Sequence, residues 1–204
     1  MVPLSESDGF SRINAPTGKW KDSLCDCFSL GICHPSLCCP FFCGTISMAQ
    51  IMSRMSLTWL GEPGERARTK DTFKVVVMLY VAYMIFSNAM ELASQSYYTI
   101  DQDTGLVNTM DVPAYNWLMR MRMIGIVLFS IWSLYSLCKT RQSVRRQYSI
   151  PEEQYRGCED CCCATFCSCC CILGQMARHT GEYENYPGVC CSSTGHHEGA
   201  PMTV

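Results

Sequence analysis

Hydrophobic and polar positions along this chain fall into blocks instead of alternating. Two uncharged apolar runs stand out, VVVMLYVAYMIFSNAM from Val75 to Met90 and MIGIVLFSIWSLYSLC from Met123 to Cys138. Neither carries a polar stripe at helical period, so each predicts a helix that is apolar on every side. Each run of 16 residues spans roughly 24 Å at the helical rise, a little less than a hydrocarbon core of about 30 Å. Flanking charges can close the gap, with Lys74 and Lys139 snorkelling at one end and Glu91, Arg120 and Arg122 at the other. The pattern predicts two membrane spans, about 73–93 and 117–138, joined by an acidic loop at 94–116. A pair of helices buried in a soluble bundle is the competing reading. In an antiparallel hairpin Glu91 comes level with Arg120 and Arg122, so an ion pair there competes with independent snorkelling of all three.

The rest of the chain is organised around this hairpin. Residues 1–19, rich in Ser, Gly and Pro, predict a disordered lead. Residues 20–60 form a first cysteine-rich module ending in the apolar stretch MAQIMSRMSLTWLG, and 61–72 form a polar, basic linker. After the hairpin, 139–156 predict a basic juxtamembrane helix broken by Pro151. Residues 157–183 form a second cysteine-rich module, and 184–204 a flexible tail. Both modules close on a Gln followed by an Arg, Gln50 with Arg54 and Gln175 with Arg178, which predicts two similar half-buried helices. The expected fold class is mainly α: an integral membrane protein with a two-span hairpin and two partly helical cytosolic modules.

Charge distribution sets the expected orientation. Residues 1–74 hold eight Lys or Arg and residues 139–204 hold six, while Ser94–Asn116 holds none and carries Asp101, Asp103 and Asp111. By the positive-inside rule both termini face the cytosol, across a plasma membrane or an endomembrane. A net charge of −2 and the lack of a long basic run exclude nucleic acid as a natural partner. The polar N-terminus has no apolar h-region, so no secretory signal is expected.

Cysteine is the candidate chemistry. Of 17 cysteines, one cluster is Cys25, Cys27, Cys33, Cys38, Cys39 and Cys43. The other is Cys158, Cys161, Cys162, Cys163, Cys167, Cys169, Cys170 and Cys171, with Cys190 and Cys191 trailing. On a cytosolic face these are expected to be reduced. Cys158-x-x-Cys161 and Cys167-x-x-Cys170 have the spacing with which two thiolates clasp one zinc. In a helix, Cys163, Cys167, Cys170 and Cys171 would share one face, and Cys39 and Cys43 lie one turn apart. Soft thiolates favour zinc, cadmium or cuprous ions over calcium or magnesium. Zinc, as structural ion or cargo, is therefore the expected metal. Acylation of juxtamembrane cysteines and plain packing of small apolar side chains compete with that reading. The histidines add little: His34 reads as an exposed loop residue, and His196–His197 as a solvated pair in the tail. No phosphate loop, nucleophile elbow, zincin motif or paired carboxylate occurs, so no enzyme is expected.

These residues carry a resemblance. The run TRQSVRRQYSI followed by CEDCCCATFCSCCCILGQMAR, with Arg145, Tyr148, Cys158, Asp160, Cys161, Cys167, Cys170, Gln175 and Arg178, resembles the placenta-specific gene 8 family of cysteine-rich membrane proteins. Its plant members include cadmium-resistance and cell-number-regulator proteins. Trp20, Leu24, Cys25, Asp26, Cys27, Cys33, then CCPFFC and Gln50 match at the N-terminal side. In total the resemblance covers roughly residues 20–60 and 124–183. Phe41 stands where the family's CPC element ends in cysteine, and the first span with the acidic loop looks like an insertion relative to short plant forms. The resemblance implies a membrane protein, often a homo-oligomer, linked to heavy-metal tolerance or growth control, with the bilayer and other proteins as partners.

Overall fold

The computed structural model of the chain describes residues 15–24, 26, 31, 34–100, 107–109, 113–152, 169–183, 185, 186, 188–190 and 192–196. In chain order these form α1 (Pro35–Phe42), α2 (Gly44–Arg54), α3 (Arg66–Thr69), α4 (Thr72–Gln95), β1 (Tyr98–Ile100), β2 (Val107–Thr109), α5 (Pro113–Gln147) and α6 (Cys169–Thr180). The chain is mainly helical. β1 and β2 pair antiparallel, Tyr98 opposite Thr109 and Ile100 opposite Val107, and make a short hairpin within the acidic loop.

Helices α4 and α5 contain the two expected spans, and each is long and apolar enough to cross a membrane. They pack on each other through aromatic rings. Tyr83 stacks on Phe129 with centroids 4.1 Å apart, and Tyr80 lies 6.2 Å from the same ring. Gly125 permits the close approach, since a Cβ there would meet the Phe86 ring at 2.5 Å. Arg122 pairs with Glu91, the pairing that hairpin geometry anticipates. The outer surfaces of both helices stay uncovered: 6% of the most apolar α4 window and 17% of that in α5 are buried. A soluble bundle would bury such a pair.

The structure departs from the sequence reading at the end of the second span. Helix α5 runs without interruption for 35 residues, about 52 Å at the helical rise, so the span and the basic helix are one rod. No Gly or Pro occurs between Ile126 and Gln147 to break it. It stops at Gln147, short of the expected 156, where Ser149 turns left-handed (φ 54°) and the Ile150 amide donates to the Arg145 carbonyl at 2.9 Å. That six-to-one bond with a buried Ile150 is a Schellman stop, and Pro151 then prevents resumption.

The described parts of both cysteine-rich modules fold onto this end of α5. Met48, Ile51, Met52, Leu57, Val76, Val144, Ile172, Leu173 and Met176 form one apolar core from α2, α4, α5 and α6. Helix α2 is buried from Ser47 to Met52 and at Arg54, and α6 from Ile172 to Thr180. The expectation of half-buried helices is therefore corrected. These helices lie inside the domain because small residues, Ala49 on α2 and Gly174 and Ala177 on α6, let neighbouring backbones come close. At Gly174 a Cβ would sit 3.2 Å from the Ser36 carbonyl at the start of α1.

Candidate functional site

Local sequence explains how the described thiols are presented. His34 caps α1, its Nδ1 accepting from the Ser36 amide at 3.3 Å, with Pro35 in the first turn. The expected exposed loop histidine is thus a capping residue. Cys43, with the non-helical backbone φ −136° and ψ 54°, ends α1, and α2 starts at once with Gly44. The Cys43 amide donates to the Cys39 carbonyl at 2.8 Å, so these two do sit one turn apart. Cys38, Cys43, Cys170 and Cys171 are half-buried. Leu173 of α6 lies 3.5 Å from the Cβ position of Gly44, which brings the first turn of α6 beside the α1–α2 corner. Cys169 opens α6. Cys25, Cys27, Cys33, Cys158, Cys161, Cys162, Cys163, Cys167 and Cys191 lie outside the described residues. Among the described residues no three His, Cys, Asp or Glu side chains converge as a metal site would require.

Cys39 differs from the expectation of reduced thiols throughout. It is bonded to Cys190 with Cα atoms 5.9 Å apart at a sequence separation of 151, and in that state its sulfur offers no thiolate. The pairing depends on the tail. Residues 188–196 do not trail free where described: the Val189 amide donates to the Gly195 carbonyl at 2.9 Å, and Gly188 bridges to His196. The Gln50 amide nitrogen donates to three tail carbonyls, Val189 at 3.2 Å, Cys190 at 2.8 Å and Ser192 at 2.9 Å. His196, expected to be solvated, is buried, its Nε2 3.1 Å from Arg54 Nη1. A guanidinium only donates, so Nε2 is the acceptor and the ring proton rests on Nδ1. Burial first, then the Arg54 charge, lowers His196 to about 4, against a raising hydrogen bond that the ring donates to the Tyr186 backbone.

A second network pins the other terminus. Gln175 donates to the Asp22 carbonyl at 2.9 Å and accepts from Arg141 at 2.8 Å. Arg178 Nε donates to the Asp22 carboxylate at 2.8 Å. His179 Nδ1 accepts from the Lys21 amide at 3.1 Å, and its ring meets Tyr148 and Trp20 edge-on. Arg141 lies 4.6 Å over the Trp20 ring, and Arg145 pairs with Glu152 at 3.0 Å. Burial is the main cause lowering His179 to about 4; Asp22 opposes it and Lys21 adds to it. Trp20, Gln50, Arg145, Tyr148, Gln175 and Arg178, which carried the sequence resemblance, are thus fastening residues. Sequence reasoning missed His179 and His196. For His179 a signal existed, since it lies one turn after Gln175 on the buried face of α6. For His196 no local pattern announces burial.

Fold and site together define a hairpin of two membrane-length helices joined at one end to a cysteine-rich domain built from both ends of the chain. The chain belongs to the PLAC8 family, which residues 20–179 match. Comparison with curated proteins and with solved structures finds no match. The matched stretch begins at Trp20 and ends at His179, two rings in mutual contact. Cys190 and His196 lie beyond it.

Proposed function

We propose that this protein is a non-enzymatic membrane protein whose cysteine-rich domain captures soft metal ions, zinc or cadmium, on the cytosolic side. One observation carries the reading: helices from the two cysteine-rich modules, on either side of the hairpin in sequence, pack into one core at its end, with half-buried cysteines from both. Cys38 and Cys43 come from the first module, Cys170 and Cys171 from the second. Besides Cys39, nine further cysteines from the two sequence clusters, Cys158 and Cys161 among them, belong to the same modules. Thiolates are soft donors that match these ions. The bilayer is the first partner. Passage of an ion would need several copies, because each hairpin presents apolar faces and no polar path, so a homo-oligomer is part of the proposal. Metal analysis of the purified, reduced protein tests it. Stoichiometric zinc is expected, falling when Cys158 and Cys161, or Cys170 and Cys171, are changed to Ser; metal-free reduced protein would refute it.

A second reading is a membrane-anchored scaffold that regulates growth, with acylated cysteines. It is favoured by Phe41 and Phe42, which stand 66% and 75% exposed directly before Cys43 and suit an apolar surface better than water. Metal-free protein bearing hydroxylamine-labile acyl groups would decide for it.

A further inference from the structure

The segment from Gly188 to His196 lies past the family-matched residues, yet its described residues are fastened to α1 and α2. Three independent attachments hold it. Gln50 gathers three of its carbonyls, His196 is buried on Arg54, and Cys190 is bonded to Cys39 of α1. Beneath it is a cavity about the size of one water molecule, bounded by Pro35, Cys39, Ser47, Gln50, Arg54 and Gly195. The tail therefore closes a groove between α1, α2 and α6, and the only covalent closure among the described residues is the sulfur–sulfur bond.

We infer that Cys39–Cys190 is a redox-controlled clasp that decides whether the C-terminal segment is docked over this groove. The inference rests on the cytosolic orientation proposed above, because disulfides do not persist passively in a reducing compartment. Cys190 is exposed while Cys39 is buried, which directs attack to the tail sulfur. A thiolate of a cellular dithiol attacks Cys190 Sγ, and Cys39 leaves as a thiolate that takes up a proton. The second thiol of the reductant then displaces Cys190 from the mixed disulfide. The protein gains two electrons and two protons, and the dithiol becomes a disulfide. Oxidation reverses the exchange. With the bond open, the noncovalent contacts of Gln50 and His196 remain but the covalent tie is gone, and local opening of this segment becomes easier.

Full-length protein in detergent, with free thiols alkylated before peptide mass spectrometry, reads the bond as a Cys39–Cys190 cross-linked peptide. Chymotryptic cleavage after Tyr183, whose ring packs against His34 and His196, reads docking. Reduction with dithiothreitol is expected to abolish the cross-link and speed that cleavage on the order of tenfold. Cys190→Ser, at an exposed site, is expected to cleave at the fast rate with or without dithiothreitol. Equal rates in oxidised and reduced wild type would overturn the clasp. In cells, the cross-linked fraction is expected to be small at rest and to rise several-fold with the thiol oxidant diamide. A cross-link formed in full at rest would overturn redox control. If an impermeant reductant also opened it from outside, the proposed orientation would fail with it, whereas a bond out of reach of that reagent would leave the orientation standing.

Discussion

His179 and His196 are held neutral by burial, each lowered to about 4 from an ordinary 6.5. Between those pH values the unfolded chain binds protons that the folded protein refuses. Their contribution is complete above pH 6.5 and is lost as pH falls toward 4. Allowing for solvent screening, each is worth on the order of 1–2 kcal/mol. Thermal unfolding in detergent at pH 7, 6, 5 and 4 is therefore expected to show a falling midpoint. The double variant His179→Asn/His196→Asn is expected to flatten that slope, and an unchanged slope would remove both residues as its source. The same scale explains the buried arginines. Arg54, Arg141, Arg145 and Arg178 are tolerable inside because each meets a matched group: the His196 ring nitrogen, the Gln175 amide oxygen and the carboxylates of Glu152 and Asp22.

At the level of elements, two joints fix how the hairpin meets the domain. The turn after α2 lies against α5, with Ser143 Oγ donating to the Gly61 carbonyl at 2.8 Å and Ser136 Oγ reaching the Trp59 carbonyl at 3.4 Å. Gly61 has φ 81°, and a Cβ there would stand 2.7 Å from the Ser136 carbonyl oxygen and from the Thr140 nitrogen. Gly61→Ala is expected to cost about 2–4 kcal/mol, from left-handed strain and backbone overlap. The loss is checked by thermal unfolding, and an effect near zero would mean that the turn shifts freely. The other joint is Glu91 with Arg122. Glu91→Arg is expected to lower the yield of folded protein, and Glu91→Arg/Arg122→Glu to restore it. Loss in the double variant equal to that in the single would argue for independent snorkelling.

For the whole molecule, the uncovered apolar faces of α4 and α5 predict that the chain stays with membranes through carbonate washing and needs detergent to leave them. An impermeant maleimide applied to intact cells is expected to leave Cys38, Cys43, Cys170 and Cys171 unlabelled, and to label them after permeabilisation. Labelling of intact cells would reverse the orientation. The domain is assembled from both sides of the hairpin, since Asp22 of the first module binds α6 while the described tail residues bind α2 and α1. Each cysteine-rich module is thereby completed by the opposite end of the chain.

How much of this was legible beforehand follows the range of the interactions concerned. The two membrane-length apolar helices and the presence of helices at Gln50 and Gln175 were readable, because block hydrophobicity and helical spacing are local properties; the full burial of the latter two, and the choice at Glu91 between an ion pair and independent snorkelling, were not. The fusion of the second span with the basic helix was less so: an expected boundary fell at a change in polarity, whereas a helix stops only where its backbone is broken or capped. The Cys39–Cys190 bond, the burial of His196 and the docking of the tail left no trace in local pattern. Sequence alone determined that this protein carries an apolar hairpin and two thiol-rich ends. Tertiary structure alone decided which thiols meet and which polar side chains are enclosed, because such contacts join residues more than a hundred positions apart, and only packing of the whole chain brings them within bonding distance.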